Sequence, residues 1–478
     1  MSINTKLFKN TSIYAIGDIL PKLFSLIIFP VLTSHLSPAE YGIINYINTI
    51  DTFLSVLSVL SLNTYFLVYY FKVEGEVSKK KLMGNISLSV FLFSIILLLI
   101  LHLIGPWLFS SWGGKVNFYP YISLGIFINL FNIVTFLPSA LYRVQERPLP
   151  LTLLNVVKSL SIMLGSVFAV TYFNGQALEV LQMRLYISFF FAIVFIFSVR
   201  KDLILNINFP QLKQALKFSL PLLPGALSFY LFSLFDRILI DKYLTLRELG
   251  IYSTAATLAL MLNIVSNGAY KAFEPFIFQN YSKPDFTLKF KKIRDILLLA
   301  ILIGSLCLSV FSKDFFKVFS SHEYLISYKY VPIIIIGVIA SSMSLMYSTI
   351  IIAKGKTVTN TLITFFGAFV SISLNVLFLK HYGIMASAIT FALSFTLVLI
   401  ANIIAARIRI THTRQFMASV FVITSSILIA YLVQTNIIWM SMIIKTLFVC
   451  LVILITCRIL KINPFTFLYS LKKVKETV

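Results

Sequence analysis

Long apolar segments follow one another along the whole chain and leave little sequence between them. Each is close to the ~20 residues that an α-helix needs to cross a hydrocarbon core about 30 Å thick. Membrane β-strands would instead be about ten residues of strict alternation, a pattern that these segments lack. The sequence therefore predicts an all-α integral membrane protein with about fourteen transmembrane helices. They lie near 11–33, 43–70, 84–109, 120–142, 150–173, 178–199, 214–239, 249–271, 294–311, 328–353, 358–379, 383–406, 415–433 and 437–460.

Composition agrees with a chain that lies in lipid. Hydrophobic residues make up 59% and charged residues 12% of the sequence. A soluble protein carries about twice that charged fraction, because its surface faces water. The net charge of +23 would indicate a nucleic-acid partner in a soluble protein. In a membrane protein, Lys and Arg in short loops orient the helices, so we expect membrane lipids around the chain and no nucleic acid.

The distribution of Lys and Arg predicts the orientation of the helices. With a cytoplasmic N-terminus and alternating sides, about 28 loop Lys and Arg fall inside and about 8 outside. This asymmetry predicts an even number of spans, both termini in the cytoplasm, and a multi-pass protein of the bacterial cytoplasmic membrane. The longest connections, about twenty residues, are too short for a soluble domain.

A short internal repeat predicts how the helices are grouped. Leu36-Ser-Pro-Ala-Glu40-Tyr-Gly42-Ile43 recurs in part as Leu244-Thr-Leu-Arg-Glu248-Leu-Gly250-Ile251, with Leu, Glu, Gly and Ile at the same spacing. Six helices separate the copies, which gives both the same orientation. We therefore expect two parallel six-helix lobes, 1–200 and 201–410, around a central cavity. Residues 411–478 would add two further helices and a basic cytoplasmic tail.

Motifs for enzymatic chemistry are absent from the sequence. The five His are scattered, and there is no HExxH pair, Asp-x-Asp pair or glycine-rich phosphate loop. We expect no catalytic residues, no metal site, no bound cofactor and no nucleotide-driven pump.

Four cationic side chains fall within or at the ends of apolar segments. Intramembrane charges are costly and usually face the interior of a helix bundle, where they mark functional sites. These four predict a cationic cavity for an anionic, oxygen-rich solute. The alternative is that the two arginines extend to the membrane interface. The residues are Lys22, Lys158, Arg184 and Arg237.

Two intramembrane carboxylates, Asp18 and Asp51, are candidates for coupling to H⁺ or Na⁺. Asp18 precedes Lys22 by four residues, so the two can pair along one helix face. That pair is either a structural ion pair or a switch that an anionic substrate opens. Proline and glycine predict flexible points within two helices, at Pro21, Pro221, Pro224 and Gly225.

Three stretches resemble the bacterial polysaccharide transporter family, the repeat-unit flippases of O-antigen, capsule and related glycans. They are Lys9-Asn10-Thr-Ser-Ile-Tyr14 with Leu36–Gly42, then Leu141-Tyr-Arg143-Val-Gln-Glu-Arg147-Pro148, and Ser219-Leu-Pro221 with Pro224-Gly225, Asp236-Arg237 and Gly250-Ile-Tyr252. Multidrug extruders and the peptidoglycan-precursor flippase belong to the same superfamily.

The resemblance implies that the chain moves an undecaprenyl-pyrophosphate-linked oligosaccharide across the cytoplasmic membrane by alternating access. It also implies membrane proteins of polysaccharide assembly as partners. Two alternatives remain at this point. A multidrug extruder would favour intramembrane carboxylates over lysines, and a membrane glycan polymerase or ligase would carry a large outer loop.

Overall fold

The computed structural model describes the backbone of residues 3–173, 175–408, 412–432 and 438–462. Side chains are described over the same ranges, except at 3–12, 14, 15, 18, 229, 265, 269, 271, 272, 275, 431, 432 and 438. All regular secondary structure in these ranges is helical and none is strand, which confirms the all-α prediction. The chain divides between Gly250 and Ile251 into two compact units, here called the N-terminal and C-terminal units.

The N-terminal unit contains long helices interrupted by short 3₁₀ or π turns at Phe118–Ile122, Ile133–Thr135, Arg200–Asp202 and Leu220–Leu222. Its helices are α1 (Ile3–His35), α2 (Pro38–Val59), α3 (Leu62–Tyr69), α4 (Glu76–Trp112), α5 (Ser123–Asn132), α6 (Phe136–Val144), α7 (Pro148–Tyr172), α8 (Ala177–Val199), α9 (Phe209–Ser219), α10 (Leu223–Tyr243) and the start of α11 (Leu246–Leu260).

The C-terminal unit continues from α11 and includes a 3₁₀ segment at His322–Lys329. Its further helices are α12 (Leu262–Asn280), α13 (Phe286–Val310), α14 (Ser312–Phe319), α15 (Val331–Ala353), α16 (Thr357–Tyr382), α17 (Ile384–Ala406), α18 (Thr413–Leu432) and α19 (Ile438–Leu460).

Twelve helices of the described chain are long and apolar enough to cross a membrane, and thirteen if one bent pair is a single span. Helix α1 is 33 residues long, and its Ile19–His35 part is a shorter apolar helix that is not among these twelve. The chain is thus a multi-pass membrane protein, whereas the number fourteen stays a prediction. The division into lobes 1–200 and 201–410 with the extra segment 411–478 also stays a prediction.

One predicted span is broken at a place that the sequence does not mark. The apolar segment 43–70 forms two helices, because Leu60 and Ser61 adopt left-handed φ values of 50° and 58°. The Leu60 amide still donates to the Val56 carbonyl and closes α2. No glycine or proline lies at this break, so tertiary packing overrides the local preference of two residues that rarely adopt this conformation.

The bent pair lies where the sequence places two prolines and a glycine. Phe209–Ser228 and Tyr230–Tyr243 meet at an angle of 51°. Pro221 lies in the 3₁₀ turn that precedes α10, while Pro224 and Gly225 lie in the first turn of α10. The Ser228 hydroxyl donates to the carbonyls of Pro224 and Gly225, both at 3.0 Å. The role of these residues as a hinge stays a prediction, as does that of Pro21 in α1.

The two copies of the internal repeat start helices α2 and α11 with similar caps. Ser37 accepts from the Glu40 amide at 3.3 Å. Thr245 and Glu248 form a reciprocal capping box, in which the side chain of each accepts from the backbone amide of the other. The repeated Ser/Thr-x-x-Glu spacing therefore has a local cause, since it satisfies the free amides of a helix N-terminus.

The repeated glycines of these copies meet each other. A Cβ at Gly42 would lie 2.7 Å from the Gly250 amide nitrogen, and a Cβ at Gly250 would overlap the Pro38 carbonyl oxygen. The obstacles are backbone atoms, which cannot rotate away as a flexible side chain can. The start of α2 and the start of α11 are therefore packed at a distance that only glycine permits.

We expect Gly250→Ala to destabilise the protein by about 1–3 kcal/mol, because the added methyl forces two backbones apart. The measurement is the thermal unfolding temperature of the full chain in detergent. Gly268→Ala is the matched control, since no described atom lies within 4 Å of the Cβ that it would add. An unfolding temperature of Gly250→Ala equal to that of the control would contradict this packing.

Candidate functional site

Asp51 is the centre of a buried hydrogen-bond network in the N-terminal unit. Its carboxylate accepts from the side-chain amides of Asn129 and Asn132, both at 3.0 Å, and from the Arg184 guanidinium at 3.1 Å. Arg184 forms an ion pair with Asp51 and also donates to the Asn48 side-chain oxygen. These donors stabilise a carboxylate that is only 6% exposed, where an unpaired charge would be costly.

Lys158 is linked to this network by the uncharged side chain of Asn132. Its ammonium donates to the Asn132 side-chain oxygen at 2.7 Å, while the Asn132 nitrogen donates to Asp51. The ammonium also lies 5.5 Å from the centroid of the Phe195 ring, within the range of a cation–π contact. The Asp51 network thus holds two cations and one carboxylate, an excess of one positive charge among α2, α5, α7 and α8.

The spacing of polar residues on α2 and α5 explains why the network forms there. Asn48, Asp51, Ser55 and Ser58 follow at intervals of three or four residues, so they share one face of α2. The facing helix places Asn129 and Asn132 one turn apart. Within this seam, the Asn129 side chain also donates to the Ser55 hydroxyl at 2.7 Å and accepts from Ser58 at 3.4 Å.

A polar cavity of about 230 Å³ adjoins the network. Ser55 and Asn132 of the network line it, together with Asn63, Ser139 and the exposed Arg143. Its volume is below that of a typical site for a drug-sized molecule. The cavity could therefore take the charged end of an anionic solute, with Arg143 and the Asn132–Lys158 contact in its surroundings.

The structure brings three of the predicted residues together and leaves others apart. Lys158, Arg184 and Asp51 belong to one network, whereas the Lys22 side chain is exposed on α1.

Arg237 is buried on α10 and donates to the Ser233 carbonyl and hydroxyl, at 3.1 and 2.6 Å. The Asp18 side chain lies outside the described residues, so the predicted Asp18–Lys22 pair does as well.

Asn129, Asn132 and Arg143 are among the members of this site that are not predicted from the sequence. The two asparagines are uncharged side chains three residues apart in an apolar helix. Uncharged amides indicate a functional site less strongly than intramembrane lysines do. Arg143 lies in the stretch after the fourth apolar segment, where a loop position accounts equally well for its charge.

Two further groups of buried charges hold the C-terminal unit together. Lys445 of α19 forms an ion pair with Asp314 of α14, and the Ser441 hydroxyl donates to the same carboxylate at 3.3 Å. At α13, Arg294 pairs with Asp295, whose carboxylate accepts from the Gln415 amide at 2.8 Å.

His412 contacts the second of these groups through Arg294, at 3.2 Å. Burial lowers the pKa of His412, and the neighbouring Arg294 charge lowers it further. Both groups tie the last two helices to α13 and α14, which favours a structural role for Lys445.

A family match over more than half of the chain shows the family to which it belongs. The family described as "Polysaccharide biosynthesis protein" matches residues 7–281, a range that contains the whole Asp51 network and its cavity. The chain belongs to this polysaccharide biosynthesis family. A second family, MatE, matches residues 221–377.

Two relatives from Haemophilus influenzae are similar in sequence. "Lsg locus putative protein 1" is 25% identical over 292 residues, which are 57% of this chain and 66% of that protein. An "uncharacterized membrane protein" is 22% identical over 353 residues, 71% of this chain and 82% of that protein.

Solved structures show the fold. A structure of the lipid II flippase MurJ in an inward closed conformation has a TM-score of 0.77 and 14% identity, and the match covers 93% of this chain and 98% of that one. An inward-facing multidrug resistance MATE transporter has a TM-score of 0.67 and 11% identity, with 82% and 97% coverage. The chain therefore shares its fold with a lipid II flippase and with a multidrug resistance transporter.

We expect Asp51→Asn to destabilise the protein by roughly 3 kcal/mol, because it leaves the Arg184 charge buried without its carboxylate. Adding Arg184→Gln should recover part of that loss, since the double variant contains neither charge. The unfolding temperatures of the two single variants and the double variant form the test. Strictly additive losses would show that the pair does not couple α2 to α8.

Proposed function

We propose that this protein is a flippase that moves an undecaprenyl-pyrophosphate-linked oligosaccharide from the cytoplasmic to the outer leaflet of a bacterial cytoplasmic membrane. The observation that carries the proposal is the excess positive charge of the Asp51 network, buried beside a polar cavity. It occurs in a chain of the polysaccharide biosynthesis family with the fold of flippases and exporters.

In this proposal the pyrophosphate is the group that the network recognises. Arg184 already has its counter-charge in Asp51, whereas the described contacts of Lys158 are with a neutral amide and an aromatic ring. An ammonium has three N–H donors, so Lys158 can donate to a phosphate oxygen and keep its Asn132 contact. Arg143 would contribute a second cation at the cavity. Lys22 and Arg237 are proposed as further contacts along the path.

The proposal includes alternating access between two lobes, with Pro21, Pro221, Pro224 and Gly225 as flexing points. It also includes coupling to an H⁺ or Na⁺ gradient through Asp18 or Asp51. Asp51 can take up an ion only if its contact with Arg184 loosens, because three donors surround its carboxylate. A pyrophosphate that attracts Arg184 would provide that opening. Other membrane proteins of polysaccharide assembly are proposed as partners.

A multidrug exporter is the second candidate, because MATE transporters share the fold. The charge of the N-terminal unit favours the flippase. A site for a cationic drug would need carboxylates without counter-charges, whereas the carboxylate of the Asp51 network is paired with Arg184.

We expect Lys158→Ala to reduce transport of the lipid-linked oligosaccharide at least tenfold, because the variant removes the cation that the proposal places on pyrophosphate. Lys158→Arg should retain more activity, since it keeps the charge and offers two donors to phosphate. The measurement is accessibility of a labelled lipid-linked oligosaccharide at the outer leaflet of proteoliposomes. Lys213→Ala, at an exposed lysine of α9, is the matched control.

The unfolding temperature of each variant separates loss of binding from loss of folding. Normal transport by a stable Lys158→Ala would contradict the proposal, and transport of cationic dyes in place of the glycan lipid would favour the exporter. Proton or sodium gradients imposed on the same proteoliposomes test coupling. Equal rates with and without each gradient would exclude it.

The predicted orientation has its own test. Green fluorescent protein fused to the N-terminus or after residue 478 should fluoresce, and alkaline phosphatase fused at the same positions should be inactive, because the loop Lys and Arg place both ends in the cytoplasm. The assay is a paired set of fusions to green fluorescent protein and alkaline phosphatase. Alkaline phosphatase activity at either terminus would show that the orientation is wrong.

A further inference from the structure

A second cavity of the N-terminal unit has a different character from the one beside Asp51. It has a volume of about 480 Å³ and lies between α4, the α5–α6 turn, α8 and the segment that follows α8. Its walls are almost entirely apolar, with Val90, Val134, Leu137 and Val199 among them. This volume is within the range of binding sites for small organic molecules.

The cavity opens to the outside of the helix bundle. Phe91, Ile196 and Leu205 line it and are also on the surface, 38%, 50% and 68% exposed. Neighbouring side chains on α8, such as Ile193 and Phe197, are exposed as well. In a multi-pass membrane protein, such apolar surface is covered by lipid chains, so the mouth of the cavity faces a supply of them.

A basic rim lies at one end of the cavity. Arg200 lines it and is exposed, with its guanidinium 3.6 Å from the centroid of the Phe197 ring. Lys201 follows, and its carbonyl accepts from the Lys80 ammonium at 2.7 Å. In the two stretches of sequence that meet at this end, 76–81 and 200–202, five cations stand against two carboxylates, and one of the cations, Lys79, pairs with Glu76.

The segment that closes this end is held in place by α4. The Ile204 amide donates to the Lys80 carbonyl at 3.2 Å, and a Cβ at Gly84 would overlap the Ile204 carbonyl. The Asn85 side chain donates to the Asn208 carbonyl at 3.2 Å and accepts from the Asn208 amide at 3.2 Å. The cavity is therefore formed by fixed backbone, with Arg200 and Lys201 at a defined position beside it.

Ser87 supplies an independent indication of a ligand. Its side chain lines the cavity and is 7% exposed, and its hydroxyl has no hydrogen-bond partner among the described residues. A buried hydroxyl without a partner costs about 1–3 kcal/mol. Ser87 lies seven residues along α4 from Lys80, about 10 Å by helix rise. A bound molecule with a polar group between a charged end and an apolar chain would form a hydrogen bond with the Ser87 hydroxyl.

We propose that this cavity binds one molecule of an anionic glycerophospholipid, with an acyl chain against its apolar walls and the phosphate at Arg200 and Lys201. The ester region of the lipid then lies near the Ser87 hydroxyl. Charge complementarity selects an anionic headgroup over a zwitterionic one, and basic groups between membrane helices are known to favour such headgroups. The cavity shares Ile133 and Phe136 as a common wall with the Asp51 cavity, but no residue of the Asp51 network lines it. The lipid proposal therefore does not depend on the proposed substrate.

The test is native mass spectrometry of the full chain in mild detergent with added dioleoyl phosphatidylglycerol or dioleoyl phosphatidylcholine. These probes have the same acyl chains and differ in headgroup charge. We expect one phosphatidylglycerol to bind at concentrations where phosphatidylcholine does not. The double variant Arg200→Gln, Lys201→Gln should weaken that binding about thirtyfold, because roughly 1 kcal/mol per basic residue gives about 2 kcal/mol.

Two further variants test whether the binding depends on this cavity. Lys213→Gln with Lys217→Gln removes the same charge from exposed positions of α9, outside the cavity lining, and should leave binding unchanged. Ser87→Leu should fill part of the cavity and abolish the single adduct, while the lipid-free protein keeps its unfolding temperature.

Three results would overturn the proposal. They are equal binding of the two lipids, equal loss in the α9 control, or an unchanged adduct in Ser87→Leu. Displacement of phosphatidylglycerol by a lower concentration of undecaprenyl phosphate would assign the cavity to a polyisoprenyl chain instead.

Discussion

The pairing of Asp51 with Arg184 is the interaction on which the N-terminal unit depends. A carboxylate in the middle of an apolar helix is tolerated only if donors from neighbouring helices reach it. Two asparagines of α5 and the guanidinium of α8 provide those donors, and one asparagine passes the contact on to Lys158 of α7. Four helices are thus held together around the Asp51 carboxylate. One positive charge more than this carboxylate neutralises remains beside the polar cavity. The same polar contacts therefore pack the helices and leave positive charge available to an anion.

The helices themselves were predictable from hydrophobic length, but one of their interruptions was not. The predicted apolar runs overlap every described helix that is long and apolar enough to cross a membrane, because a lipid environment requires such runs. The break at Leu60 and Ser61 could not be predicted from the sequence, because no glycine or proline marks it and α2 and α3 pack against other helices of the unit. The 51° bend near Ser228 was easier to expect, because Pro221 and Pro224 precede it.

The site was predictable in its charges and not in its partners. Lys158, Arg184 and Asp51 stand out because ionisable residues are rare in apolar helices. Their grouping could not be deduced, since nothing in a single sequence tells which helix faces which. Asn129 and Asn132 were not predicted for a different reason. Asparagine side chains are common in helices, and their role is evident only when a charged group lies beside them. Lys22 illustrates the converse, as a mid-span lysine that lies exposed and apart from the Asp51 network.

The contact between Gly42 and Gly250 constrains how the two repeat copies can diverge. After a duplication, most paired positions can drift, because a larger residue on one side is compensated by a smaller one on the other. Here both partners are already the smallest residue, and the atoms opposite each are main-chain atoms. No substitution at one glycine can be rescued by mutation of its counterpart. Suppressors of a defect at this contact must therefore arise elsewhere, in residues that shift the start of α2 or α11 as a whole.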